Sequence, residues 1–154
     1  MDTIQKIASF QVDHTVLEPG IYVSRVDGDI TTFDLRTRKP NTDDLMDDST
    51  MHSMEHMLAT YMRNSPIGPK VIYFGPMGCQ TGFYLLTRDC EKEEVRKNLV
   101  WALEKVIAHE GEIFGNSAVE CGNYRTLSLE KAKAEAERYL KVLLADPNPS
   151  FLYQ

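Results

Sequence analysis

Apolar residues alternate with polar ones early in the chain and recur at helical spacing later. Gly20 to Val26 (GIYVSRV) and Asp29 to Arg36 are β-rich runs on either side of Asp27-Gly28. Asp-Gly between two such runs predicts a hairpin. The stretch RKPNTDD breaks the pattern, with Pro40 and Asn41 as turn formers. The spacing then predicts a helix from about Met51 to Asn64, capped by Ser49 or Thr50 and ended by SPIGP. Val71 to Phe74 and Phe83 to Leu86 are short β-type runs around the glycine-rich turn GPMGCQTG. A second helix is expected from Glu91 to His109, capped by Asp89 and stopped by Gly111. Its Val95, Leu99, Ala102, Leu103, Val106 and Ile107 follow helical spacing, while Val100 and Trp101 fall off that stripe. Ser128 opens a third helix, to about Ala145, which DPNPS terminates. Strands first, then strands interleaved with helices of unequal length, predict an α+β fold. Its sheet is largely antiparallel and packed against helices, rather than doubly wound.

Composition narrows the function without choosing it. The 154 residues suggest one domain, 1–154, with a sizeable core. The net charge of −6 comes with no basic stripe, so no nucleic-acid partner is expected. No apolar run approaches the ~20 residues that cross a bilayer, so no membrane role is expected either. The start, MDTIQKIASF, lacks the charged-then-apolar pattern of a secretory signal. Cys79, Cys90 and Cys121 form an odd, sparse set, which argues against a disulfide framework and for a reducing cytoplasm.

The first helix carries the most informative stretch, MHSMEHMLA, from Met51 to Ala59. His52 and His56 lie one turn apart, about 40° from each other in projection, and Glu55 shares an arc of about 100° with both. Two imidazoles at this spacing can aim at one divalent ion, with the carboxylate beside them as a proton carrier. The plain alternative is a hydrogen-bonded helix face. Met51, Met54, Met57 and Leu58 make the helix largely apolar, and imidazoles there need partners, which a metal or backbone carbonyls could supply. Two histidines do not complete a site; His14, His109, the cysteines and the carboxylates are candidate third ligands. Cys121, followed by Gly122, could approach a metal unhindered, or could be a buried small hydrophobe.

The turn Pro76-Met77-Gly78-Cys79-Gln80-Thr81-Gly82 presents a second thiol. Backbone N–H groups in such turns can stabilise a thiolate, which makes Cys79 a candidate acid, base or nucleophile. A structural thiol at a bend is the alternative. Cys90, between a cap and an acidic helix start, reads as part of the fold.

Together these motifs resemble the S-ribosylhomocysteine lyases, the LuxS-type enzymes that make the precursor of autoinducer-2. The segments are Ser9-Phe10-Gln11-Val12-Asp13-His14, Phe33-Asp34-Leu35-Arg36, His52 to Ala59, Pro76 to Tyr84, and Glu120-Cys121-Gly122. The segments stand in the family's order, and the match spans roughly residues 9 to 145. H-x-x-E-H together with P-M-G-C-x-T-G is specific where either alone is not.

The resemblance implies cleavage of S-ribosylhomocysteine to homocysteine and 4,5-dihydroxy-2,3-pentanedione, by carbonyl migration and β-elimination. It implies one divalent metal per subunit, Fe(II) first with zinc or cobalt as substitutes, and no organic cofactor. His52, His56 and Cys121 take the ligand positions, and Glu55 and Cys79 the two proton-transfer positions. Ser9, Phe10, His14, Asp34 and Arg36 fall where the family lines its substrate pocket. The resemblance further implies a homodimer with active sites at the interface, and Arg63 falls where an arginine reaches the neighbouring subunit's substrate. On the helix, Arg63 projects within about 20° of His52 but roughly 16 Å along the axis. Two stretches depart from the pattern: Tyr73-Phe74-Gly75 replaces an acidic-apolar-serine run, and Thr37-Arg38-Lys39-Pro40-Asn41 replaces Phe-Cys-x-Pro-Asn. Two other readings compete. One is an inverted-zincin metallopeptidase with Glu120 as a further ligand; the other is a non-catalytic metal-binding module.

Overall fold

The computed structural model describes residues 3–153. Strands β1 (Gly20–Asp27), β2 (Ile30–Arg36), β3 (Val71–Pro76) and β4 (Gly82–Arg88) form one antiparallel sheet in the order β1-β2-β4-β3. The expected hairpin joins β1 and β2, and Gly28 sits at φ 62°, the left-handed conformation its turn requires. Helices α1 (Asp48–Arg63), α2 (Lys92–Ala108) and α3 (Leu129–Ala145) pack on one another, with α1 against β3 and α3 against β1. The architecture is α+β, as the order of elements predicts.

Period-two alternation decides which side of the sheet is buried. Ile21, Phe33, Leu35, Phe74, Phe83 and Leu85 face the helices and join Met54, Met57, Leu58, Leu99, Leu103 and Leu143 in one core. Each such fully buried side chain contributes about 1.5–3 kcal/mol. Tyr139 of α3 is wholly buried and donates its hydroxyl to the Gly20 carbonyl at 2.8 Å, tying α3 to the edge strand. The opposite face carries the register partners Tyr22, Asp34 and Tyr84, with Thr32 opposite Leu86. Helices cover only the first face, so the second is left for other elements.

Two helix starts differ from expectation. Asp47, not Ser49 or Thr50, caps α1, because its carboxylate accepts the Thr50 N–H at 2.7 Å. The helix therefore begins nearly a turn earlier. Asp89 does not cap α2: it adopts φ 47°, and its N–H is spent on the Asp29 carbonyl at 2.7 Å, closing the end of the sheet. Glu91 precedes α2 instead, without a side-chain cap. Ser128 caps α3 as read, accepting from the Lys131 N–H at 3.4 Å.

Candidate active site

The apolar stripe of α1 packs into the core, which turns the adjacent arc, bearing His52 and His56, toward the loop between α2 and α3. That loop delivers Cys121. One ligand atom from each of His52, His56 and Cys121 lies within 4.8 Å of the others. The Cys121 sulfur is 3.3 Å from His52 Nε2, and the two imidazoles meet edge to face at 4.7 Å between centroids.

Hydrogen bonding fixes which nitrogen each imidazole presents. The Thr126 hydroxyl donates its one hydrogen to the Asn123 carbonyl at 3.0 Å. Its 2.7 Å contact with His52 Nδ1 must then be a bond donated by the ring. His56 Nδ1 contacts the Phe114 carbonyl at 2.8 Å, which can only accept. Both rings therefore carry a proton on Nδ1, so that each neutral ring presents its lone pair at Nε2, the arrangement of metal-ligating histidines. Burial, and then the neighbouring His56, push His52 toward the neutral form, with Glu55 opposing. The Asn123 N–H points at the Cys121 sulfur at 3.4 Å and fixes its position. Two imidazole nitrogens and a cysteine sulfur are a donor set that suits a divalent ion with one position open. Gly115 is required beside them. Its φ is 70°, and a Cβ there would fall 2.7 Å from His56 Nδ1.

A second polar cluster lies on the sheet face turned away from the helices. Asp34 and Arg36, next-but-one on β2, share that face and are 1% and 2% exposed. Arg36 donates Nη2 to Asp34 Oδ2 at 2.6 Å and Nε to Oδ1 at 3.1 Å. Its Nη1 donates to Thr81 Oγ1 at 2.9 Å and points at the Cys79 sulfur at 3.8 Å. Burial opposes the Arg36 charge, but Asp34 outweighs it and raises the guanidinium above its ordinary value, with a smaller contribution from Cys79. Cys79 itself is exposed, and its sulfur also meets Thr81 Oγ1 at 3.0 Å. Glycine-flanked backbone was the expected support for this thiol; the side-chain support comes from Arg36 and Thr81.

The Cys79 turn is anchored to the start of α1. Gln80 adopts φ 66°, a strained conformation for a side chain of its size, and is held there at both ends. Its carbonyl accepts the Met46 N–H at 3.1 Å, and its Nε2 donates to the Met46 carbonyl at 2.9 Å. The two clusters are thus tied through the residues that lead into α1.

The remaining expected residues are not all drawn to these clusters. Glu55 is half-buried on α1 between the two histidines. Ser9 is half-buried in a short 3₁₀ turn, Ala8–Gln11, while Phe10 beside it is 69% exposed. His14 contacts the Val12 carbonyl at 2.9 Å. Arg63 is exposed and donates to the Ile72 carbonyl at 2.8 Å; it joins neither cluster within this chain. Of the candidate third ligands, His109 is occupied by the Tyr61 hydroxyl and the Glu112 carbonyl. Glu120 is exposed, accepts from Ser117 at 2.8 Å and lies outside the ligand group, which removes the ligand that the metallopeptidase reading needs. Cys90 is half-buried, and burial pushes its thiol up, in keeping with a part in the fold.

Both departures from the family pattern have structural accounts. Arg38 pairs with Glu135 of α3, a carboxylate only 3% exposed, and its Nη1 donates to the Asp44 carbonyl at 2.9 Å. Buried Thr37 donates its hydroxyl to the Thr81 carbonyl at 3.3 Å. The Tyr73 ring lies across Gly75, where a Cβ would fall 2.2 Å from the Tyr73 hydroxyl. Neither departure displaces a ligand or Cys79.

The family model described as S-ribosylhomocysteinase (LuxS) matches residues 7–148. An S-ribosylhomocysteine lyase of Desulfotalea psychrophila is 44% identical, with 96% of this chain and 99% of that protein aligned. The Finegoldia magna lyase is 46% identical over 91% and 92% of the two chains, and that of Clostridium beijerinckii 45% over 92% of each. With the His-His-Cys group and the Cys79 turn in place, the chain belongs to the LuxS family of S-ribosylhomocysteinases.

Proposed function

We propose that this protein cleaves S-ribosylhomocysteine, releasing homocysteine, at a single divalent metal held by His52, His56 and Cys121, with Cys79 and Glu55 as proton carriers. The observation that carries this reading is the pair of imidazoles locked with Nε2 free beside the Cys121 sulfur. Residues 1–154 act as one catalytic domain, in the cytoplasm. Among the described residues, no helix is long and apolar enough to cross a membrane.

When bound, the metal supplies Lewis-acid polarisation of the substrate's carbonyl and hydroxyl oxygens. This chain's residues supply the proton traffic. The Cys79 thiolate, beside the Arg36 guanidinium, removes a proton from the sugar carbon next to the carbonyl. It returns the proton one carbon along, so the carbonyl migrates. Glu55, on the helix between the ligands, moves protons among the sugar oxygens. Once the carbonyl lies two carbons from the carbon that bears sulfur, a last proton abstraction expels the thiol by β-elimination. No electrons leave the substrate, so no redox cofactor is needed. Asp34, Arg36, Ser9, Phe10 and His14 line the substrate's path.

The resident metal is Fe(II), with zinc or cobalt able to replace it. The protein acts as a homodimer whose second copy covers the open sheet face, where Ile7, Thr32, Tyr73, Tyr84 and Leu86 border an apolar depression of about 390 Å³. Arg63, exposed in this chain, serves the site of the neighbouring copy. The test is thiol release from S-ribosylhomocysteine by Fe(II)-loaded protein, with sedimentation to give the mass. Turnover by a dimer supports the reading; no thiol release by metal-loaded protein overturns it.

A further inference from the structure

The C-terminal residues clasp the sheet edge. Strand β1 lies at the edge of the sheet, and its Val23 N–H donates to the Phe151 carbonyl at 2.8 Å. Phe151 adopts φ 62°, a strained conformation for an aromatic residue, and this turns the chain around the strand. Its ring enters the core edge-on to Phe33, with centroids 6.5 Å apart. Tyr153 lands on the opposite side, stacked on Tyr22 at 5.1 Å and 19°. From there its hydroxyl passes β1 and reaches Asp34 Oδ2 on β2 at 2.7 Å. The clasp lies beyond the segment matched by the family model, which ends at residue 148.

A carboxylate as buried as Asp34 requires its acceptor positions to be filled. Arg36 fills part of that demand with two bonds, and Tyr153 supplies a third. Burial, and then the charge of Asp34, hold the Tyr153 phenol well above its ordinary range, so it stays a donor at any working pH. The charge that Asp34 shares with Tyr153 is charge it does not direct at Arg36. More of the guanidinium's field is then left for the Cys79 sulfur, which faces Nη1.

We propose that Tyr153 is a positioning residue for Cys79: its hydroxyl fixes and partly neutralises Asp34, which in turn aims the Arg36 guanidinium at the sulfur. The inference rests on the proton-carrier role of Cys79 given above, but its test does not. In metal-free protein, iodoacetamide alkylation of each cysteine is followed by peptide mass spectrometry. Tyr153→Phe keeps the stacking on Tyr22 and removes the donor. The variant is expected to slow alkylation of Cys79 about fivefold, a fraction of what a hydrogen bond to a charged group is worth. Cys90 alkylation should not change, and the melting temperature should fall only by the few degrees that one lost hydrogen bond to a buried carboxylate costs. In an Asp34→Asn background the same substitution should have no further effect on Cys79. In metal-loaded protein, kcat should fall by a similar factor with KM unchanged.

Unchanged Cys79 alkylation in Tyr153→Phe would overturn the proposal. So would additive effects in the Asp34→Asn background. Faster alkylation of both Cys79 and Cys90 with a lowered melting temperature would also overturn it, by showing that the clasp serves stability alone. The alkylation readout needs neither metal nor substrate. Failure of the wild-type protein to release thiol would therefore count against the proposed function and leave the positioning result standing.

Discussion

The two polar clusters are built on opposite physical principles. At His52, His56 and Cys121 neutral donors and acceptors fix the side chains: a threonine hydroxyl, a backbone carbonyl, a backbone N–H. At Asp34 and Arg36 the groups are charged, and their buried ion pair stands beside the Cys79 sulfur. The first leaves lone pairs free to receive a cation. The second leaves a positive edge free to support a thiolate. A site that must hold both a Lewis acid and a base needs this separation, because an ion and a guanidinium in one cluster would repel each other.

The largest expected effects test the division of labour. Cys79→Ala and Glu55→Gln should each lower kcat by roughly 10²–10⁴-fold, the range of a lost general acid or base, while metal content stays at one per subunit. His56→Ala should instead lose the metal. Metal analysis beside the thiol-release assay separates the two classes. Metal loss from Cys79→Ala would show that the clusters are not distinct.

Next in size is the ion pair. Arg36→Met leaves Asp34 buried without its counter-charge and should destabilise the fold by about 3–5 kcal/mol in urea unfolding. Asp34→Leu combined with Arg36→Met removes both charges and should recover most of that stability without recovering turnover. If the double variant regained activity, Arg36 would be a structural residue only.

The legibility of the two clusters in the sequence follows from the range of their contacts. His52, Glu55 and His56 lie within two turns of one helix, so the period of α1 places them together before any fold is known. Period-two alternation likewise puts Asp34 and Arg36 on one strand face. Their partners are remote: Thr126 from His52, Thr81 from Arg36, and Tyr153 from Asp34. No local pattern marks these residues, and Thr126 in particular reads as one more loop residue. Gly115 offered only the hint that a glycine in a long loop can mark a close approach. The caps of α1 and α2 differ from expectation because contacts from elsewhere in the fold decide them. Asp47-Asp48-Ser49-Thr50 offers four capping residues in a row, and the cap falls to Asp47, which Lys131 of α3 also holds at 2.9 Å. Asp89 was drawn away from α2 by a bond to Asp29 across the sheet. The resemblance carried the choice of Cys121 and Cys79, which spacing alone left open.

Smaller effects belong to the groups that orient the ligands. Thr126→Val removes the acceptor that keeps the His52 proton on Nδ1, and metal affinity should fall about 10–100-fold. Chelator competition measures this. Alkylation of Cys79 should not change in the same variant, since no hydrogen bond links Thr126 to that turn. A parallel loss at Cys79 would mean that the neutral cluster also supports the charged one.

The joint between the clusters is the start of α1, and the smallest effect is expected there. Met46 is bonded to the Cys79 turn through Gln80, and Asp47 caps the helix that carries His52 and His56. Lys131, and then Thr50, hold the Asp47 carboxyl at about 2, below its ordinary 3.8. A depressed folded value means that the carboxylate form stabilises the fold. Its contribution is complete above 3.8 and disappears as the pH falls through about 2. Asp47→Ala should therefore cost about 1 kcal/mol at neutral pH, the usual value of a helix cap. The gap between the variant and wild type should close as the pH falls through that window. The side chain is 58% exposed, so its Lys131 pair should add little beyond the cap and should weaken in salt. A gap that stayed constant down to pH 2 would assign the cap's contribution to helix geometry rather than charge. The joint between the two clusters would then be insensitive to acid.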